Sequence, residues 1–333
     1  MKKYLLWILM ILLLAGCSST EPTASPIEEA AVAEISATAT EVEAVEPTAV
    51  VDEDSATIVP PTTACNAFLD NTTTLCETNI ALVESNGLPT THNMMVGIVS
   101  WQQQFPLPQA YTGDNAWQIP LDPELSDNPI SGATDLFRGA IALAINGVPI
   151  FNALNNRGDD AYLAGELDQW GGHSGRADDY HYHIAPTHLQ DIIGTDQPIA
   201  YGLDGFPLYG LTEPDGSPVV GLDAYNGHFD DDGNYHYHAT ETYPYINGGM
   251  RGVVDYQGGQ VEPQPHTHEI RPAGEPLRGA EITAFSQTGT NAFSLQYTLD
   301  SETYTVNYTI ENEVYTFEFI DPAGNRTVET YKP

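Results

Sequence analysis

The sequence predicts a mainly β protein: a tandem-repeat β domain of pseudo-two-fold character, with a C-terminal β-hairpin region and a disordered linker before it. Three observations lead there. Short aromatic segments alternate with Gly/Pro-rich turns, and no helical periodicity persists beyond three turns. One stretch is duplicated within the chain. The tail alternates polar and apolar residues with period two.

The N-terminus comes first. Met1-Lys2-Lys3 is followed by an apolar run from Tyr4 to Leu14 and then Ala15-Gly16-Cys17. Charge followed by a short hydrophobic run is the order of a secretion signal, here residues 1–16, and the run is too short to span a bilayer. Leu14-Ala15-Gly16-Cys17 resembles the bacterial lipobox, so Cys17 is expected to carry the lipid. That predicts a chain anchored in the bacterial cell envelope, facing the periplasm or the exterior, with the membrane as partner through at least two acyl chains. Residues 17–63 read as a linker. They are rich in Ala, Thr, Pro and Val, acidic, and without Lys, Arg, His, Gly or aromatics. Such a segment cannot bury enough surface to offset its ordering entropy.

The formal net charge of −36 excludes nucleic acid as a partner and favours metal cations. Cys65 and Cys76 are the remaining cysteines, and outside the cytoplasm they are expected to pair.

The globular part runs over 64–280, with internal repeats at about 139–190 and 197–246. Ile141–Ala153 reads IALAINGVPIFNA and Ile199–Leu211 reads IAYGLDGFPLYGL. Asn146-Gly147 and Asp204-Gly205 suit type I′ hairpins, and Pro149 and Pro207 should push each return strand towards a sheet edge. Downstream, LDQWGGHSGRADDYHYH (167–183) matches LDAYNGHFDDDGNYHYH (222–238). Residues 281–333 form the C-terminal region, where Tyr304–Ile310 and Val314–Phe319 alternate as a hairpin would.

The chemistry lies in the histidines. His173, His181 and His183 in the first repeat, and His228, His236 and His238 in the second, follow one His-x7-His-x-His pattern. His-x-His on a strand puts both imidazoles on one face, and a third ring can return to that face from upstream. Three histidines with a free fourth position suit a reactive zinc site, and nitrogen donors also suit copper. Asp178, Asp179, Asp231 and Asp232 are the carboxylates placed to receive the outer ring N–H of a ligating histidine. Because Ser174-Gly175-Arg176 corresponds to Phe229-Asp230-Asp231, the second repeat is expected to bind a cation more tightly. His266 and His268 form a third His-x-His pair, and His188 follows the first repeat.

Asp179-Tyr180-His181-Tyr182-His183 and Asn234-Tyr235-His236-Tyr237-His238, with their flanks over about 93–252, resemble the bacterial YHYH-domain family. The resemblance implies an exported protein and supplies no reaction. Members of that family carry cysteines where this chain has Ser174, Tyr225 and Gly249, which leaves the histidines as the shared element.

Three functions are compatible with the sequence. The first is an extracytoplasmic, lipid-anchored protein whose histidine-rich sites bind copper or zinc. The second is a metal-dependent envelope hydrolase or oxidase, with Glu166, Asp168 or Asp223 as candidate general bases. The third is a surface-recognition module whose Trp101, Trp117 and Trp170 contact glycan or protein while the histidines are structural. An open three-histidine site argues for catalysis, a closed one for storage or structure.

Overall fold

The computed structural model describes residues 63–333. The signal, Cys17 and nearly all of the linker lie outside the described residues. The chain is mainly β, with one α-helix of four residues, Gln190–Ile193, among the described residues. The first sheet is antiparallel, formed by β1 (Thr73–Cys76), β2 (Ile80–Glu84) and β3 (Trp117–Pro120) in that order. Cys65 and Cys76 are joined by a disulfide, Cα to Cα 5.8 Å, which ties β1 to the segment before it. Strand β4 (Leu125–Ser131) follows.

The repeats build one eight-stranded sheet. The first contributes β5 (Ala140–Ala144), β6 (Pro149–Phe151), β7 (Gly172–Ser174) and β8 (Tyr180–Tyr182). The second contributes β9 (Ala200–Gly202), β10 (Pro207–Tyr209), β11 (Gly227–Phe229) and β12 (Tyr235–His238). The order is β11-β12-β10-β9-β5-β6-β8-β7, so each half mirrors the other across the β9–β5 seam. At that seam Leu143 pairs with Tyr201, its own counterpart in the other repeat. An antiparallel pair of equivalent residues has its two-fold axis normal to the sheet, so equivalent side chains leave the same face. Both seam strands are fully buried, which explains their unbroken apolar runs.

Two expectations about the hairpins are corrected. Gly147 (φ 77°) and Gly205 (φ 91°) have positive φ, but Asn146 and Asp204 do not, so the turns are not type I′. Each is a three-residue loop closed by its glycine: Gly147 N–H donates to Ala144 and Ala144 N–H to Val148, as Gly205 does to Gly202 and Gly202 to Phe206. Nor are β6 and β10 edge strands, since each is paired on both sides. Pro149 and Pro207 are tolerated because each is the first residue of its strand.

After the repeats, β13 (Gly249–Gly252) pairs with β4, and β14 (Asp255–Gln257) pairs with β15 (Gln260–Glu262). The C-terminal region is larger than a hairpin. It is a five-stranded antiparallel meander of β16 (Glu281–Gly289), β17 (Ala292–Leu299), β18 (Glu302–Glu311), β19 (Val314–Ile320) and β20 (Arg326–Tyr331). The alternating segments read from sequence are its β18 and β19. Its aromatic face packs on the repeat domain. Phe105 lies against Tyr308 and Phe317, and Tyr308 donates to the Pro106 carbonyl. Arg271 stacks over Phe105 and Phe317 while its guanidinium grips Asp178 through two 2.8 Å bonds.

Asp178 is 2% exposed and also accepts from Phe105 N–H. Removing one partner of a buried ion pair strands the other charge, at a cost of about 3–5 kcal/mol. Arg271→Met is therefore expected to lower stability by about that amount, read by urea denaturation.

Candidate metal centres

Each repeat ends in a two-stranded ribbon that brings three imidazoles together. In the first, β7 and β8 set His173 directly opposite His181. His183 lies two residues along the same strand direction, on the same face. In the second, β11 and β12 set His228 opposite His236, with His238 two residues on. The parallel neighbours β6 and β10 then lay an aromatic ring beside the cluster: Phe151 stacks on His181 at 3.9 Å, and Tyr209 meets His236 edge-on at 5.4 Å.

The Nε2 atoms point inward. In the first cluster His183 Nε2 is 3.1 Å from that of His173 and 3.2 Å from that of His181. In the second, His236 Nε2 is 3.0 Å from those of His228 and His238. Nitrogens held about 2.0–2.1 Å from a tetrahedral ion stand about 3.3 Å apart, close to these spacings. The Nδ1 atoms point outward to backbone carbonyls. His181 meets Asp179 O, His183 meets Asn152 O, and His173 meets the Glu166 carbonyl. In the second repeat His228 meets Val220 O, His238 meets Gly210 O, and His236 meets the Asn234 carbonyl.

Those contacts fix the protons. Three neutral imidazoles own three N–H groups, and three carbonyls claim them. The two Nε2 to Nε2 contacts in each cluster are then left without a proton, lone pair facing lone pair. A second proton on one ring would relieve them, but burial opposes it. His183 is pushed down to about 3, chiefly by desolvation and then by His181. His173 is held well below the ordinary histidine range by burial and by His183 and His181. Burial also lowers His236 and His238. A cation at the centre satisfies all three lone pairs at once.

The tyrosines between the histidines face the other side and lock the ribbon. Tyr180 donates to Asp168 at 2.7 Å and Tyr235 to Asp223 at 2.9 Å. Tyr182 meets Asn146 of the first hairpin loop, and Tyr237 donates to Asp204 of the second. The glycine before each upstream histidine follows from this: a Cβ on Gly172 would run into the Tyr180 hydroxyl at 2.5 Å, and one on Gly227 into that of Tyr235.

This is the arrangement that the family comparison picks out. The family model described as YHYH protein matches residues 116–218, a span that contains the first ribbon. Residues 116–218 therefore carry a YHYH domain. No curated protein and no solved structure matches the chain. The second YHYH ribbon lies beyond the matched span and repeats its geometry.

Several residues singled out in the sequence are placed elsewhere. Asp179 does lie at the first cluster, its carboxylate 3.4 Å from His181 Nδ1. Asp178 points away, into the Arg271 pair. Asp231 and Asp232 sit exposed in the turn between β11 and β12, where side chains reach solvent rather than the rings. Arg176 is likewise exposed and does not mark the first cluster. The general-base candidates are also tied up. Asp168 accepts from Met95, Trp170 and Gly172 N–H besides Tyr180. Asp223 accepts from Tyr225, Gly227 and Tyr235, and Glu166 holds Arg157 and Asn155. His266 and His268 are exposed and belong to neither cluster, while His188 packs against His92 and Trp170.

One ligand candidate was not read from the sequence. Glu213 reaches the second cluster, 3.2 Å from His228 Nε2, 3.2 Å from His238 Nε2 and 3.5 Å from His236 Nε2. The groups able to hold an ion are thus Glu213 with His228, His236 and His238, and separately His173 with His181 and His183. No local pattern marked it: at the hairpin's offset of 58, Glu213 corresponds to Asn155, beyond the part of the repeat that is visibly similar. The matching bridges Leu154↔Asp160 and Thr212↔Pro218 support that correspondence. On the Nε2 side the charge difference between the repeats therefore rests on Glu213, while on the Nδ1 side Asp179 corresponds to Asn234.

The depressed histidines give the metal-free fold an acid sensitivity. Below about pH 6.5 the unfolded chain takes up a proton that folded His183 refuses until about pH 3. Stability is therefore lost as pH falls through that window, by on the order of 2 kcal/mol between pH 7 and 5 for this one group. Thermal melts of chelator-treated protein should show the fall, and His183→Gln should flatten it.

Proposed function

We propose that this YHYH protein is an extracytoplasmic, lipid-anchored protein whose two repeats each bind one transition-metal ion, copper or zinc. The observation that carries the reading is the set of three convergent Nε2 atoms in each repeat, whose Nδ1 protons are already claimed by carbonyls. Imidazole donors of this number suit zinc and copper, and the protein's carbonyls hold each ring in the tautomer that ligation needs. Two separate centres are supported by the sheet order. From β8 to β12 there are five inter-strand steps, on the order of 24 Å along the sheet. The signal-like N-terminus with Cys17 and the acidic linker support attachment at a membrane, and no described helix is long and apolar enough to cross one.

Elemental analysis of protein purified without chelator is expected to give two ions per chain. His181→Ala/His183→Ala should remove one, and His236→Ala/His238→Ala the other. Loss of both ions in either variant would mean a single shared centre, and full occupancy in both would return the histidines to a purely structural role. The second repeat should bind more tightly, because Glu213 adds a carboxylate to the convergent donor atoms, whereas Asp179 of the first cluster lies on the outer side of His181. For the anchor, Cys17→Ser is expected to move the protein from the membrane fraction to the soluble one, and an unchanged partition would refute lipid attachment.

A further inference from the structure

On the Nε2 side, where an ion would sit, the two centres differ at one corresponding position, and the difference is chemical; on the outer Nδ1 side Asp179 of the first stands where the second has Asn234. In the second, Glu213 supplies a carboxylate, so a divalent ion there carries a net charge of about +1 with its ligands. In the first, only three neutral imidazoles converge, and the ion keeps its full charge. Asn155, the counterpart of Glu213, does not replace the carboxylate. Its Oδ1 accepts from Arg157 N–H at 2.9 Å and Asp159 N–H at 3.1 Å, and its Nδ2 donates to Glu166 at 3.2 Å. Among the described residues no further carboxylate, cysteine or histidine joins the group of His173, His181 and His183. The Arg157 guanidinium is bonded to Glu166, the residue whose backbone carbonyl holds His173. A buried charge is costly unless it is paired.

We propose that the first centre keeps one coordination position for an exogenous small anion, with Arg157 beside it, whereas Glu213 occupies that position in the second. The inference rests on the metal-binding reading. It makes the repeats unequal in use: the second is a closed site that holds its ion, and the first is an open one that presents its ion to an anionic ligand such as a carboxylate. A ligand of this kind adds a bond to the ion without displacing a histidine. Its negative charge offsets the ion, and Arg157 favours it further.

The test uses the whole chain loaded with copper(II), with azide as the anion probe. Loading is first checked by elemental analysis; two ions per chain keep the metal-binding reading whatever azide then does, and no bound ion removes both proposals. On titration, azide is expected to alter the electron paramagnetic resonance signal of half the copper and to add one charge-transfer band. Arg157→Gln should weaken azide at least tenfold at unchanged copper content. Asn155→Glu should abolish the response with both ions still bound. Glu213→Ala works from the other side: it should make the second ion respond to azide as well, so the outcome does not depend on one variant folding. Azide acting on both ions or on neither in the unaltered protein overturns the proposal, as does a Glu213→Ala protein whose second ion stays silent. A response that emerges only in Glu166→Gln would place Glu166 in the fourth position and also overturn it.

Discussion

The bond from the first tyrosine of each YHYH motif to an aspartate, Asp168 in the buried first ribbon and the more exposed Asp223 in the second, is the contact on which the rest of the ribbon depends. Asp168 and Asp223 each close a tight turn with their other oxygen, through the N–H groups of Trp170 and Gly172 or of Tyr225 and Gly227. The same carboxylate thus sets where the upstream strand begins and where the tyrosine ring lies. With both strands fixed, the pleat leaves no choice about the histidines: they must face the other side, opposite each other. Aspartate, glycine, histidine and tyrosine are therefore one device with two faces. The phenols hold the ribbon to the core, and the imidazoles are left converging with their protons already committed.

That device sits at both ends of one sheet for a topological reason. The β9–β5 seam joins two equivalent hairpins, and each hairpin's return strand takes its own ribbon as a parallel neighbour. A seam of equivalent residues places the ribbons as far apart as the sheet allows and keeps them on one face. Separation lets the two clusters diverge independently, and one substitution pair, Asn155 against Glu213, has made them chemically different. The second tyrosine of each motif reaches back to the loop of its hairpin, at Asn146 or Asp204, so ribbon and hairpin are held as a unit.

The C-terminal meander has another role in the fold. It carries no histidine and contributes nothing to either cluster. It covers an aromatic face around Phe105, and its approach is fixed by Arg271, which joins Asp178, one residue before the motif-flanking Asp179. The residue that looked from sequence like a support for the histidines is instead the anchor of the neighbouring sheet. Asp178 has a left-handed backbone (φ 57°) in the bend before β8, so the chain turns between the two carboxylates, and Asp179 faces His181 while Asp178 faces the arginine.

What the sequence by itself determined was whatever is written as local pattern. The β class, the duplication, the two His-x7-His-x-His sets and the opposite facing of tyrosine and histidine all follow from period-two geometry and self-similarity. The separateness of the clusters, the burial of β6 and β10 and the size of the C-terminal sheet were decided by tertiary structure, because they depend on which strands pair across long stretches of chain. Glu213 belongs to that second class: it precedes His228 by fifteen residues and reaches it only because a loop after the hairpin folds over the ribbon. The protonation of the rings was also a tertiary matter, since the carbonyls that claim Nδ1 include those of Asn152 and Gly210, contributed by the loops that leave the two hairpins.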